Sequence, residues 1–274
     1  MDHKSIFKKY NISPKKSLGQ NFLIDDAILE KIASYLNLDS KNVVEVGPGY
    51  GALTEKILTK NPVSLSLVEL DLNMIRIIED RIKNNNLKTE KTKFEIKNID
   101  VLKYFPKQKN YVVVANIPYY ITSPILRHFF FETPNKPSEM LILMQKDVGD
   151  KIRKFDGKSS LLSLFADFAC EEIKEIIKVG KNNFLPAPKV ESSVLYFKLR
   201  ESKDFGISEK DFFEIIKIAF AQKRKKLTSN LLPIISKEKI EKIFNDLGFN
   251  QNSRAEDLDL EKWIELIIKI KEAS

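Results

Sequence analysis

An apolar stretch from Tyr111 to Ala115 ends at Asn116-Ile117-Pro118-Tyr119-Tyr120. Those residue types, in that order, can hold a flat ring that carries an amino group. The Asn116 side-chain oxygen can accept from an exocyclic NH2, and Tyr119 can lie on the face of the ring. Pro118 has no N–H and a fixed φ, so it stiffens the turn and leaves its own carbonyl and that of Ile117 open to a donor. Taken alone, the same residues also describe an ordinary turn after a strand. The chemistry therefore needs partners elsewhere in the chain.

Three other segments supply them. Glu45-Val46-Gly47-Pro48-Gly49-Tyr50-Gly51 follows a short apolar run, and its glycines allow a sharp turn and a close approach of backbone to a ligand. The spacing is G-x-G-x-G, which differs from the G-x-G-x-x-G of dinucleotide sites, and no phosphate-binding lysine-serine pattern follows it. Glu69 ends the next strand-like run, twenty residues after Gly49, where an acid can accept from both hydroxyls of a ribose. Asp100 follows the third run and can accept from an adenine amino group. Each residue alone could be a helix cap or a solvated carboxylate. Together, Gly47 and Gly49, Glu69, Asp100 and Asn116 stand at four successive strand ends. That set suits an adenosine without a pyrophosphate, and S-adenosylmethionine is the candidate: adenine, ribose and a sulfonium methyl.

The elements that must position these residues alternate. Val43–Val46, Ser64–Glu69, Phe94–Ile96, Tyr111–Ala115 and Met140–Met144 read as strands. Helical periodicity over Ala52–Thr59, Asn73–Lys83 and Ser123–Phe131 separates them, and a further helix begins at Asp25-Asp26. Near-continuous apolar strands alternating with helices predict an α/β fold with a parallel sheet covered on both faces. Ser159–Ala169 then reads as a helix. Ile173–Val179 and Val194–Leu199 read as strands on either side of Phe184-Leu185-Pro186-Ala187-Pro188. Beyond Gly206 only helical patterns remain, at Asp211–Ala221, Ser236–Leu247 and Leu260–Ile270. The expected division is a basic N-terminal arm over 1–21, an α/β domain over 22–203 and a helical domain over 204–274.

The chain has 274 residues and a formal net charge of +8, a balance that favours a polyanionic partner. From Arg200 onward there are 15 basic and 14 acidic residues, so the excess lies before it. Two local clusters stand out: Lys4, Lys8, Lys9, Lys15 and Lys16, and then Lys223-Arg224-Lys225-Lys226. Either could be no more than a solvated face. Cys170 is the only cysteine, so no intrachain disulfide can form, and His3 and His128 are the only histidines. These counts exclude a His/Cys zinc site and disfavour a Ser-His-Asp relay. No apolar run approaches the ~20 residues that span a bilayer, and the lysine-rich start is not a secretory signal. A cytoplasmic protein with no bound metal is expected.

The motifs also carry a resemblance. Lys16-Ser17-Leu18-Gly19-Gln20-Asn21-Phe22-Leu23, the Glu45–Gly51 turn with Leu53-Thr54, Glu69-Leu70-Asp71 and Asn116–Tyr120 occur in order. So do Phe184–Val190 with Ser192-Ser193-Val194, and Phe220-Ala221-Gln222-Lys223-Arg224-Lys225. From about Lys15 to Trp263 the chain resembles the bacterial family of small-subunit ribosomal RNA adenine dimethyltransferases. The resemblance implies a Rossmann-like S-adenosylmethionine methyltransferase sheet, seven-stranded and mostly parallel, with a smaller helical C-terminal domain. It implies dimethylation of N6 on two adjacent adenines in a loop near the 3′ end of 16S ribosomal RNA. The partner would be the small ribosomal subunit or its precursor, and the enzyme would act as a monomer. The family's cofactor contacts fall on Asn21, Leu23, Gly47, Glu69, Asp100 and Asn116, and its target-adenine pocket on Asn116, Tyr119 and Phe184. One departure is visible. The family usually has two arginines before a lysine, and here Lys223 takes the first position, which keeps the charge but loses the planar fork. The competing readings are the related 23S ribosomal RNA adenine methyltransferase of antibiotic resistance, a non-catalytic RNA-binding factor on the same scaffold, and an NAD-dependent dehydrogenase. The glycine spacing disfavours the last.

Overall fold

The computed structural model describes residues 2–201 and 204–273. It contains two compact units. One comprises the chain to Gly149 together with Glu172–Leu199, and the other Asp150–Glu171 together with the chain from Arg200.

The first unit is built on a sheet whose strands are Asn42–Val46 (β2), Ser64–Glu69 (β3), Lys93–Asn98 (β4), Tyr111–Asn116 (β5), Glu139–Gln145 (β6), Cys170–Val179 (β7) and Ser192–Leu199 (β9), in the order β4-β3-β2-β5-β6-β9-β7. β4 to β6 run parallel, and β9 is antiparallel to β6. Two-residue strands Phe22–Leu23 (β1) and Phe184–Leu185 (β8) form a separate antiparallel ribbon. The apolar composition of β2, β3 and β5 reflects their place: apart from Asn42 and Asn116 every residue in them is buried. Such strands have no solvent face and so show no alternation.

Helices His3–Lys9 (α1), Asp26–Tyr35 (α2), Ala52–Leu58 (α3), Leu72–Lys83 (α4) and Thr122–Arg127 (α5) belong to this unit. Asp25 caps α2 through the N–H groups of Ala27 and Ile28, and its apolar face buries Ile28, Leu29, Ile32 and Ala33. α4 starts on Asp71 and buries Met74, Ile75, Ile77 and Ile78. α5 runs straight into a π-helical turn, His128–Glu132, so the helix expected over Ser123–Phe131 is two segments of different pitch.

The chain visits β2, β3 and β4 moving outward, then returns to place β5 on the other side of β2. The carboxyl ends of β2 and β5 thus flank the point where strand order reverses, the place where ligands bind in open α/β sheets.

The expected N-terminal arm is corrected by the structure, because α1 is a packed element. Asp2 caps it through Ser5 N–H, and His3 is buried. Phe7 sits edge-on to Phe22 and Tyr50, with centroids 5.5 and 5.3 Å away. The hydroxyl of Tyr10 donates to Asp80 at 2.6 Å. His3, Ile6, Phe7 and Tyr10 recur at helical spacing, an apolar stripe masked in the sequence by the lysines between them.

The second unit holds Leu161–Ala169 (α7), which follows Lys146–Ile152 (α6), and Glu209–Ala219 (α8), Leu227–Leu231 (α9), Lys237–Asp246 (α10) and Leu260–Ala273 (α11). The sequence places the helical domain at 204–274. The structure adds Asp150–Glu171 to it, because Phe168 on α7 stacks on Phe212 of α8 at 4.2 Å and 20° and Phe165 packs beside it. The expected boundary falls beside Ser202 and Lys203, which lie outside the described residues. No helix among the described residues is long and apolar enough to cross a membrane.

Candidate active site

A cavity of about 1080 Å³, counting its open mouth, lies at the carboxyl ends of β2, β3 and β5. Its wall includes Asn21, Leu23, Gly47, Gly49, Glu69, Asp100, Asn116, Ile117, Pro118 and Tyr119. Ten of the eleven residues singled out from the sequence thus meet in one place. The strand register does this. Val46 pairs with both Val68 and Ala115, and Glu69 pairs with Asn98, so residues that follow each strand emerge side by side.

Gly47 has φ +68, and a Cβ there would lie 3.2 Å from the Asn116 carbonyl oxygen. A side chain would be strained by the backbone and would also crowd the first residue of the Asn116–Tyr120 turn. The Gly47 N–H donates to Val68 O at 3.0 Å, which fastens the turn to β3. At its far end Arg81, buried on α4, donates through Nη1 to the carbonyls of Tyr50 at 2.7 Å and Gly51 at 3.1 Å. Arg81 was not foreseen. A charged residue one turn from the end of an amphipathic helix looks solvated in sequence, and only the fold shows its target.

Glu69 is buried, and backbone donors orient its carboxylate. Oε2 accepts from Gly49 N–H at 3.1 Å and Oε1 from Asp71 N–H at 2.8 Å. Each oxygen keeps a lone pair for a ligand hydroxyl. Burial pushes the Glu69 carboxyl above its usual range against the lowering effect of those N–H groups. Asp100 accepts from Leu102 N–H at 3.0 Å and caps a single 3₁₀ turn. Asn98 ties the strand ends together, donating to the Glu69 carbonyl at 3.0 Å.

Asn116 is half-buried, and its side-chain amide has no hydrogen-bond partner among the described residues. Tyr119 also is half-buried. Its hydroxyl is 2.7 Å from Ser192 Oγ, and burial raises its pKa. The hydroxyl is thereby pinned, and Tyr119 lines the cavity.

Phe184 is the one expected site residue that the cavity does not include. It is 3 % exposed, pairs with Leu23 across the β1–β8 ribbon, and belongs to the apolar core. The cavity wall therefore presents Tyr119 but not Phe184. Phe184 sits in the ribbon with Leu23 and in the core cluster, long-range contacts that a proline-rich motif does not reveal.

Glu45 adds a group the sequence left without a role. It lines the cavity at 1 % exposure and accepts from Thr54 Oγ1 at 2.7 Å. Burial, reinforced by the nearby Glu69, pushes its carboxyl up to about 8. Asp71 behaves oppositely. Burial raises it, but hydrogen bonds from Lys15 and Gln20 outweigh that and hold it below the usual range.

The described lining thus carries three carboxyl groups, Glu45, Glu69 and Asp100, and no lysine or arginine. Burial raises the pKa of two of them, Glu45 and Glu69, so the wall is rich in acceptors and offers a phosphate no cation. Together with the Gly47 approach and the open acceptor of Asn116, it fits an adenosine that bears a sulfonium rather than a pyrophosphate.

Comparison with known proteins agrees with that geometry. The family model for ribosomal RNA adenine dimethylase matches residues 11–272. A ribosomal RNA small subunit methyltransferase A from Mycoplasmopsis pulmonis is 37 % identical over 265 residues, covering 94 % of this chain and 99 % of the relative. Among solved structures, a dimethyladenosine transferase from Plasmodium falciparum matches with a TM-score of 0.75 at 21 % identity, over 92 % of this chain and 98 % of that one. A 23S rRNA methyltransferase, ErmE, matches with 0.71 at 22 %, over 92 % and 100 %. These two likenesses show the fold, which both kinds of enzyme share.

Proposed function

Because the chain belongs to the ribosomal RNA adenine dimethylase family, we propose that it dimethylates N6 of two adjacent adenines in a loop near the 3′ end of 16S ribosomal RNA, on the small ribosomal subunit or its precursor. The observation that carries this reading is the placement of the Asn116 turn. It forms one wall of a cavity whose other walls offer Glu69 and Asp100 to an adenosine.

S-adenosylmethionine, when bound, supplies an electrophilic methyl group. Asn21, Leu23, Gly47, Gly49, Glu69, Asp100 and Asn116 would hold it, with Glu69 accepting from the ribose and Asp100 from the adenine. The protein's work is on the other reactant. The N6 lone pair of adenine is delocalised into the ring and is a poor nucleophile. Acceptors at Asn116 Oδ1 and at the Ile117 or Pro118 carbonyl favour a more tetrahedral nitrogen and stabilise the positive charge that develops on it. Tyr119 stacks on the ring, a contact worth ~1–3 kcal/mol. Each transfer would form one N–C bond at N6 as the cofactor's S–methyl bond breaks and its sulfur leaves as a neutral thioether. The N6 proton would pass to solvent, which needs no strong base, and the cavity lining contains no histidine. An adenine inside a duplex cannot reach this turn, so the target is a loop base or a flipped one. For Phe184 to join the stack, its buried ring would have to become accessible to the base.

The test is transfer of tritiated methyl to unmethylated small subunits, with large-subunit RNA as the competing substrate. Label in 16S RNA as N6,N6-dimethyladenine is expected, and Asn116→Ala should lower turnover by about 10²-fold while cofactor affinity changes much less. Label confined to 23S RNA, or undiminished turnover in Asn116→Ala, would overturn the reading.

A further inference from the structure

Tyr120 follows the stacking residue Tyr119 directly, yet the two rings are treated differently. Both lie on the 3₁₀ turn Tyr119–Ile121, where successive side chains diverge by roughly 120°. The Tyr119 ring is half-buried, and its hydroxyl is anchored on Ser192. The Tyr120 ring is 65 % exposed, lines the cavity mouth, and its hydroxyl has no partner among the described residues. Packing does not account for it.

The ring is nonetheless held. One edge rests on the backbone of Gly19, which has φ +60. A Cβ at Gly19 would lie 3.2 Å from Tyr120 Cε1 and 3.2 Å from Pro118 Cβ. Glycine is needed there for its backbone conformation and for the room. Lys16, exposed on the 3₁₀ turn Lys16–Leu18 that ends at Gly19, has no ion-pair partner among the described residues. Single-stranded nucleic acid sites use an exposed aromatic face for a base and cations for the backbone. Here the face is the Tyr120 ring, and the cation, Lys16, lies three residues before Gly19 in the chain.

We propose that the exposed face of Tyr120 is a second nucleobase subsite, occupied by the base next to the target adenine. The proposal rests on the RNA-methylating function given above. Taking the target out of its stack strips its neighbour of one stacking face. Tyr120 replaces that face, so the neighbour stabilises the extruded state. Where two adjacent adenines are modified, a subsite on one side of the target holds the partner adenine in one of the two reactions and the flanking base in the other.

The test uses small subunits reconstituted from unmethylated RNA, intact or with an abasic nucleotide on one or the other side of the target. For the wild type, one abasic position should lower kcat/KM about tenfold, the order of a single base stack. Tyr120→Ala should lose the same factor on intact RNA and nothing more on that abasic RNA, whereas Tyr120→Phe should keep wild-type rates. Calorimetry with S-adenosylhomocysteine alone should give Tyr120→Ala an affinity within about twofold of wild type, and its exposed position leaves the thermal midpoint unchanged. Multiplying effects of the variant and the abasic site would overturn the subsite. So would an equal loss in cofactor affinity, which would make Tyr120 a cofactor contact. Failure of the underlying function is separable, because the wild type would then transfer no methyl even to intact RNA.

Discussion

Lys15 reaches the carboxylate of Asp71, with Nζ 2.7 Å from Oδ1. This contact spans 56 residues of sequence, and Gln20 reinforces it with a 3.0 Å bond to the other oxygen. Asp71 also caps α4 through Asn73 N–H and passes its own N–H to Glu69. The segment that carries Asn21 is therefore fastened to the strand end that carries Glu69, the proposed ribose acceptor. Lys15→Ala should weaken S-adenosylhomocysteine binding about tenfold, or ~1.4 kcal/mol. Asp71→Asn in the Lys15→Ala background should add less than it does alone, since the two act as one unit. A calorimetric double-mutant cycle checks this; strictly additive losses would sever the link.

Glu45 makes stability depend on pH with a definite sign. Its folded pKa is raised, to about 8, above the unfolded carboxylate value near 4.3. The folded protein then holds a proton that the unfolded chain releases. The contribution is complete below the unfolded pKa and is lost as pH rises through about 8. Wild-type thermal midpoints should therefore decline between about pH 5 and 8 relative to Glu45→Gln, whose neutral amide does not titrate. Parallel pH profiles for the two proteins would contradict the assignment.

Phe184→Ala separates two roles for that ring. As a core residue it should lower unfolding free energy by about 3–5 kcal/mol, measurable by denaturant titration without RNA. A variant of unchanged stability that has lost only RNA turnover would instead place the ring at the base.

Residues Lys223, Arg224, Lys225 and Lys226 are all exposed, and none has an ion-pair partner among the described residues. Asn230 holds the loop from beneath, donating to the carbonyls of Ala219 at 2.7 Å and Gln222 at 3.1 Å. If the first two cations contact phosphates, replacing Lys223 and Arg224 by alanine should reduce the slope of log K against log salt by about 2. An unchanged slope would mean that the loop stays solvated in the complex.

Much of the site was legible in the sequence because its parts are local. Gly47, Glu69, Asp100 and Asn116 each follow a recognisable strand, and a parallel sheet gathers such ends by construction. What escaped depends on distant pairing. Arg81 and Lys15 read as surface charges until their partners, the Tyr50 carbonyl and Asp71, are brought to them. The burial of Phe184 likewise depends on distant contacts, its pairing with Leu23 and the core around it. Helix α1 carried a usable signal, an Asp2 cap followed by Ile6, Phe7 and Tyr10, obscured by a lysine-rich composition. Helix α9, five residues long, is too short for periodicity to show.

The order β6-β9-β7 has a consequence for how the protein is made. Synthesis delivers β7 before the strand that must lie between it and β6. Until Ser192–Leu199 has emerged, β6 presents an open edge with five buried-type residues, Met140 to Met144, and no partner on that side. An unpaired apolar edge is a template for aggregation. A nascent chain stalled short of Ser192 is therefore the most vulnerable form of this molecule, and insertion of β9 is the event that closes it.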